Sequence, residues 1–293
     1  MNGIAPWLQK FWDWRAAGNF ICGGTGTGFM VCGAVAALAG APATPLALVA
    51  AAFVAAGLFS VWLELGRPFR SINVLFNAKT SWMTREAMVA APLFVLAAAA
   101  AFWASPMLLV LAAATGLIFL YCQGRILIAS KGIPAWRVPQ ILPLIMSTGI
   151  TEGIALFLVL GQVLVPNNYA QAMHAALAAL VLSIIVRAWA LRSYRLSLEA
   201  GAPSKAISIL HRAEVGFTAF GQILAAVLAA GALLIAEVDS GLAVMAGSCA
   251  LFGGWYLKFT IIARASVNQG YAISFSPARG AGMPGHGSKP GWS

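Results

Sequence analysis

The sequence predicts an all-α integral membrane protein with eight transmembrane helices arranged as two four-helix bundles, both termini being cytoplasmic. Three observations predict it. The chain of 293 residues is 61% hydrophobic and only 9% charged, whereas soluble domains carry about 25% charged residues. Its apolar residues gather into eight stretches, each near the roughly 20 residues that a helix needs to cross a bilayer. All eighteen Lys and Arg residues are assigned to alternate gaps between these stretches, chain ends included, and the other gaps contain none. Lipid offers no partner to a bare peptide group, so a long apolar run closes its hydrogen bonds within itself as a helix. Basic residues resist translocation, which puts the basic gaps on the cytoplasmic side.

In chain order the spans are read at 19–39, 45–64, 84–103, 106–128, 140–164, 169–190, 215–236 and 241–263. The gaps at 40–44, 104–105, 165–168 and 237–240 are short and free of Lys and Arg, while those at 65–83, 129–139 and 191–214 are longer and basic. Residues 1–18 carry Trp7, Trp12 and Trp14 and read as an interfacial helix lying on the membrane. They lack the basic start, compact apolar centre and small-residue cleavage site of a leader. The membrane domain extends over 19–268, with a first bundle at 19–128 and a second at 140–263. The tail, 269–293, is rich in Gly, Ser and Pro and has too little apolar surface to fold alone. Span one carries Thr25-Gly26-Thr27-Gly28 and span five carries Thr148-Gly149-Ile150-Thr151-Glu152-Gly153. Both spans begin on the same side, as in a parallel duplication. Gly24-x-x-x-Gly28 reads as a close-packing surface for another helix.

Several chemistries are excluded at this level. A net charge of +10 could suggest nucleic acid, but the charges sit at helix ends beside anionic lipid heads and form no basic soluble module. Cys22, Cys32, Cys122 and Cys249 all lie in apolar runs without a CxxC pair, so neither a disulfide framework nor an iron–sulfur cluster is expected in this chain. A b-type haem needs histidines on facing helices, and only His174 lies within a span. No metal site is expected. The glycines from Gly23 to Gly28 follow no strand, which argues against a phosphate loop.

Polar side chains do converge near the cytoplasmic ends of the first four spans: Asn19, Glu64, Trp82, Arg85, Glu86, Tyr121 and Arg125. Ionisable residues at this depth face protein or water and not lipid. Aromatic and aliphatic walls with a few directed polar groups suit a flat lipophilic ligand. A quinone fits that description, with Asn19, Tyr121 and Arg125 as donors and Glu64 as the group that exchanges protons. Glu152 is the deepest charge, about midway along span five. It is expected to be protonated or hydrogen-bonded to Ser147, Thr148 or Thr151, serving a proton path or a polar link between helices.

The loop residues add a resemblance. Glu64-Leu65-Gly66-Arg67-Pro68, Asn73-Val74 and Thr80-Ser81-Trp82-Met83-Thr84-Arg85-Glu86 resemble the loop after helix two in the membrane-anchor subunits of dimethyl-sulfoxide-reductase-type molybdenum enzymes, the DmsC and NrfD groups. Ile133-Pro134-Ala135-Trp136 and the stretch from Asn268-Gln269-Gly270-Tyr271-Ala272 to Pro277-Ala278-Arg279-Gly280 are similar too. The resemblance implies an anchor without haem that binds ubiquinone or menaquinone in its first four helices. It implies two partners: a four-cluster ferredoxin-like iron–sulfur subunit and a large molybdopterin catalytic subunit. In polysulfide-reductase-like anchors an Asn, a His one turn later and a Tyr on helix four hold the quinone. Asn19 and Tyr121 match, and Cys22 stands at the histidine position. In sulfoxide-reductase anchors a histidine precedes the Leu-Gly-x-Pro element, where Glu64 stands here, followed by Arg67. The basic loops place the partners in the cytoplasm, at a bacterial inner membrane. The tail and the Thr80-to-Glu86 loop resemble anchors of phenylacetyl-CoA:acceptor oxidoreductases, which implies electron flow from a CoA thioester to quinone. A secondary transporter and a purely structural anchor are the competing readings.

Overall fold

Eight helices of the computed structural model are long and apolar enough to cross a membrane: α1 (Trp14–Leu38), α2 (Ala43–Trp62), α3 (Trp82–Phe102), α4 (Pro106–Ala129), α5 (Ile141–Leu164), α6 (Ala170–Leu198), α7 (Ser204–Leu234) and α8 (Gly241–Arg264). The structure describes residues 6–64, 75–166, 169–199, 201–234 and 240–268. The tail from 269 and the Leu65–Val74 part of the loop motif, Arg67 included, lie outside them. Among the described residues the only extended pairing is one antiparallel bridge, Leu8 to Val267.

Helix ends follow local chemistry. Asp13 caps α1 by accepting from the Arg15 amide at 2.8 Å. Ser81 and Ser105 do the same for α3 and α4, and Pro106 occupies the first turn of α4, where its missing N–H costs nothing. Gly40 turns the chain after α1 with φ 97°, a left-handed conformation that glycine adopts freely.

Two expectations about the elements need correction. Residues 6–13 form no interfacial helix: they run along the end of α8, where Gln9 N donates to Ser266 O at 3.1 Å and Asn268 N to Trp7 O at 3.0 Å. Backbone pairing with 266–268 replaces the bonds that a helix would supply. The basic gap at 191–214 is mostly helix as well. α6 continues to Leu198 and α7 starts at Ser204, so the turn at Gly201 and Pro203 is short. Hydropathy marks where a helix is apolar, but the backbone ladder continues until glycine and proline stop it.

α1 and α5 are the most enclosed spans. They meet through the two glycine phrases: a methyl added to Gly28 would collide with the Gly149 carbonyl, and one added to Gly153 with the Gly28 backbone. The close-packing surface expected at Gly24-x-x-x-Gly28 is therefore present, and its partner is Gly149-to-Gly153. Inside lipid no hydrophobic force drives helices together, so such backbone contact supplies dispersion energy that larger side chains would block. α1 also packs on α2 and α4, and α5 on α6 and α8. Near the N-terminal end of α1, Phe20, Trp136, Tyr194, Phe217 and Ile261 form a second apolar core. Trp136 Nε1 donates to Ile261 O and Tyr194 Oη to Ala135 O, each at 2.9 Å, which pins the turn between α4 and α5.

Candidate functional site

α1, α2, α3 and α4 enclose a cavity of about 320 Å³ at the basic end of the bundle, lined by Trp12, Ala16, Asn19, Phe20, Val61, Glu64, Met83, Glu86 and Ile126. Helical phase explains the lining: Ala16, Asn19 and Phe20 share one face of α1 at i, i+3 and i+4, and Met83 and Glu86 share one face of α3. Asn19 Nδ2 donates to Glu86 Oε1 at 3.0 Å, both side chains being at most 5% exposed. Gln123, fully buried on α4, donates through Nε2 to the Asn19 carbonyl at 3.0 Å. Asn19 Oδ1 and Gln123 Oε1 are buried acceptors with no protein donor. Of the two, Asn19 belongs to the cavity lining, where a bound group carrying a hydroxyl would complete it.

Glu64 sits just beyond α2 at the cavity edge. Burial raises its carboxyl above the ordinary 4.5, the negative charge of Asp13 adds to this, and Arg15 opposes it. Asp13 moves the other way, held below 3.8 by its hydrogen bonds from Arg15.

The remaining expected residues are divided between two places. Trp82, Arg85, Tyr121 and Arg125 form a cluster on α3 and α4 outside the cavity lining. Arg85 and Arg125 place their guanidinium carbons 4.1 and 4.7 Å from the Trp82 ring centre, and the Tyr121 ring meets that indole edge-on at 5.8 Å. Arg125 Nη1 donates to Tyr121 Oη at 3.4 Å. Arg85 also holds the loop before α3 through the Ala78 and Lys79 carbonyls. Cys22, half-buried, is outside the cavity lining and lies within electrostatic reach of Glu152 and Lys258. The four cysteines are free thiols.

Glu152 has different partners from those expected. Ser147 donates to Leu144 O and Thr151 to Ser147 O, so both hydroxyls serve their own helix. Lys258 Nζ, from α8, lies 2.6 Å from Glu152 Oε2, and Thr25 Oγ1, from α1, donates to the same oxygen at 2.9 Å. Trp255 Nε1 donates to Thr25 Oγ1 at 2.9 Å. Lys258 and Glu152 are both fully buried.

The assignment of every basic residue to a gap needs correction: Arg85 and Arg125 belong to α3 and α4, and Lys258 and Arg187 lie inside α8 and α6. Lys258 and Arg187 are fully buried. A buried cation survives where a carboxylate or free carbonyls receive it. Arg187 donates to Ala250 O at 3.3 Å and to Gly221 O at 2.5 Å, and its charge lies 4.9 Å from the Phe217 ring centre. Gly221 belongs to a π-helical stretch of α7, Phe217–Leu224. Such a stretch disturbs the regular ladder and presents a carbonyl sideways.

Gln123, Thr25, Lys258 and Arg187 are polar residues that sequence reasoning left out of the site. Glu86 was placed at the convergence but given no role there, although it falls one turn after Trp82 on the face that Met83 begins. Lys258 and Arg187 had a signal: each interrupts an apolar span.

Fold and site together define a multi-pass α-helical membrane protein with a cavity and buried titratable side chains. No protein-family model matches the chain, and no curated protein matches it.

Proposed function

We propose that this chain is the membrane-anchor and quinone-reactive subunit of a molybdopterin oxidoreductase, passing electrons between a ferredoxin-like iron–sulfur subunit and ubiquinone or menaquinone. The observation that carries the reading is the cavity of about 320 Å³, apolar on most sides, with two carboxylates and a carboxamide in its wall. It lies in the first four helices, where the resembling loop motifs imply a quinone, and its volume is in the range of small-ligand sites.

The residues suit the ligand. Trp12, Phe20, Val61, Met83 and Ile126 would flank a flat ring and exclude water. Asn19 Oδ1 would accept from a hydroxyl, with Gln123 holding the Asn19 carbonyl behind it. Glu86, buried and bonded to Asn19, and Glu64, nearer solvent, would hold and pass protons, Glu64 Oε being the exit. A quinone supplies two-electron, two-proton redox chemistry in the bilayer. Trp82, Arg85, Tyr121 and Arg125 form the neighbouring wall toward the loop that would seat the iron–sulfur partner. The basic end would be cytoplasmic, in a bacterial inner membrane, with the catalytic subunit inside and a CoA thioester as electron source.

The test is binding of a fluorescent hydroxyquinoline N-oxide, a quinol analogue, to the purified protein. Saturable quenching is expected, weakened about tenfold or more in Glu86→Gln and Glu64→Gln, a loss typical of one hydrogen bond to a charged group. Wild-type binding by both variants would refute the site. Co-purification of an iron–sulfur and a molybdopterin subunit tests the assembly.

A further inference from the structure

Glu152, Lys258 and Arg187 are a group of fully buried titratable side chains outside the cavity, contributed by α5, α8 and α6. Their charges do not balance: two cations face one carboxylate. Arg187 is held by two carbonyls, and its charge acts on both Glu152 and Lys258. A guanidinium keeps its proton under all ordinary conditions. With Arg187 fixed as a cation, the fully ionised trio carries one net positive charge in the bundle interior. Loss of one proton from Lys258 makes the trio neutral, and a low dielectric favours that state far more strongly than water does. Among the described residues Cys22 and Thr25, from α1, also act on the pair, and neither supplies a second negative charge at neutral pH.

Position supplies the second argument. Lys258 Nζ donates to the carbonyl of Phe20 at 2.9 Å. Phe20 lines the cavity and directly follows Asn19, whose side chain holds Glu86 and whose carbonyl accepts from Gln123. Two neighbouring carbonyls of α1 are thus gripped from two different helices, one by Gln123 of α4 and one by Lys258 of the buried pair. Glycines make room for both grips: a methyl on Gly23 would meet Gln123 Nε2 at 2.5 Å, and one on Gly24 would collide with the Lys258 amine.

We propose that the Lys258–Glu152 pair, with Arg187 as its fixed counter-charge, is a second site of this protein: a proton-holding site, coupled through the Asn19–Phe20 turn of α1 to ligand binding in the cavity. In the loaded state Lys258 is an ammonium and Glu152 a carboxylate. On release one proton leaves Nζ, giving amine and carboxylate, and uptake is the reverse; no electrons move. Release slackens the bond to Phe20 O and removes a positive charge behind the cavity, so Asn19, Glu86 and any bound group feel it. The coupling to a quinone rests on the reading given above, and the proton site does not.

The experiment has two arms on the full chain in lipid bilayers. In the first, pH-difference infrared spectra follow the carboxylate stretch of Glu152, identified by its absence in Glu152→Gln. As pH rises the wild-type band shifts when Lys258 loses its proton. In Lys258→Arg, which keeps the charge and cannot release it, the shift is absent. In the second, affinity for the hydroxyquinoline N-oxide is measured across the same pH range. A change of about tenfold is expected in wild type, the ordinary size of a coupling between two sites, flattened to about twofold in Lys258→Arg, while Glu86 and Glu64 still contribute their own titrations. If Lys258→Arg does not fold, Lys258→Gln takes its place in the first arm and the Glu152→Gln/Lys258→Met double variant takes its place in the second. An infrared shift that persists in Lys258→Arg or Lys258→Gln, or is missing in wild type, overturns the proton site even if the probe binds. An infrared shift that depends on Lys258, with no probe binding at all, supports the proton site and removes the cavity reading. Probe affinity with the same pH profile in wild type and variants overturns the coupling.

Discussion

Asn19 and Glu86 are joined by a 3.0 Å hydrogen bond that ties α1 to α3 within the cavity wall. Replacing Asn19 with Ala leaves a nearly inaccessible carboxyl without its side-chain donor. Leaving such a group unsatisfied costs about 1–3 kcal/mol. Asn19→Ala is therefore expected to lower the unfolding temperature in detergent as well as quinol-analogue affinity. Glu86→Gln preserves volume and can still accept from Asn19, so it should keep the unfolding temperature and lose affinity. Comparison of thermal unfolding with fluorescence quenching in the two variants checks this, and equal destabilisation by both would count against the assigned bond.

Gly153 and Gly231 should respond in opposite ways to the same substitution. A methyl at Gly153 meets the Gly28 backbone, whereas nothing lies within 4 Å of a methyl at Gly231. Gly153→Ala forces α1 and α5 apart and is expected to destabilise by about 1–3 kcal/mol or more, the range for overpacking. Gly231→Ala should leave stability unchanged or raise it by up to about 1 kcal/mol through reduced backbone freedom. Denaturant titrations of both variants in mixed micelles give the comparison.

The Lys258–Glu152 bridge predicts a non-additive pair of substitutions. Lys258→Met alone leaves the buried Glu152 carboxylate without its 2.6 Å donor, and breaking a buried pair from one side costs about 3–5 kcal/mol. Adding Glu152→Gln removes the carboxylate that lacks its donor and retains an acceptor for Thr25, while Arg187 stays held by its two carbonyls, so the double variant should recover part of the loss. A double-mutant cycle measures the coupling; additive losses would show that the bridge contributes little.

Glu64 and Asp13 set opposite pH trends at the N-terminal end of α1. Glu64 is raised above 4.5 by burial, so the folded state binds its proton more tightly than the unfolded chain does. Its contribution to stability is full below 4.5 and is lost as pH rises through the folded value. Asp13 is lowered below 3.8, so its contribution is present above that value and is lost as pH falls through the folded one. Glu64→Gln should flatten the decline on the less acidic side only, and Asp13→Asn the decline on the acidic side only. Unfolding temperatures across the acidic range would show each limb separately.

Much of the architecture was readable from residue order. The spans starting near Pro106, Ile141 and Gly241 lie within a residue or two of the expected places, because a run of apolar side chains between breakers leaves a peptide chain in lipid no other way to pair its backbone. The Gly24-x-x-x-Gly28 surface was readable for the same reason: small residues at that spacing leave a groove that only another helix fills. The ends of α6 and α7 were not readable by hydropathy, since Arg192, Arg195 and Arg212 lie on helical turns that lack an apolar signature. Nor was the short extended segment before Asp13, which depends on pairing with residues some 260 positions away, as in the bond from Trp7 N to Asn268.

The candidate site divides along the same line. That Asn19, Glu64 and Glu86 lie at one depth follows from counting along each helix at a fixed rise per residue. That Asn19 faces Glu86, while Tyr121 and Arg125 turn toward Trp82, depends on how each helix is rotated about its axis, and rotation is set by neighbours.

Residue order alone therefore determined that this chain is a set of membrane-length helices and which of their ends carry the positive charge. Both are properties of contiguous stretches meeting lipid. Tertiary structure alone decided that Lys258 finds Glu152 across 106 positions of sequence, and that Arg187 is received by the carbonyls of α7 and α8. The energy of a buried charge depends on what lies a few ångströms away in space, and no local pattern records that.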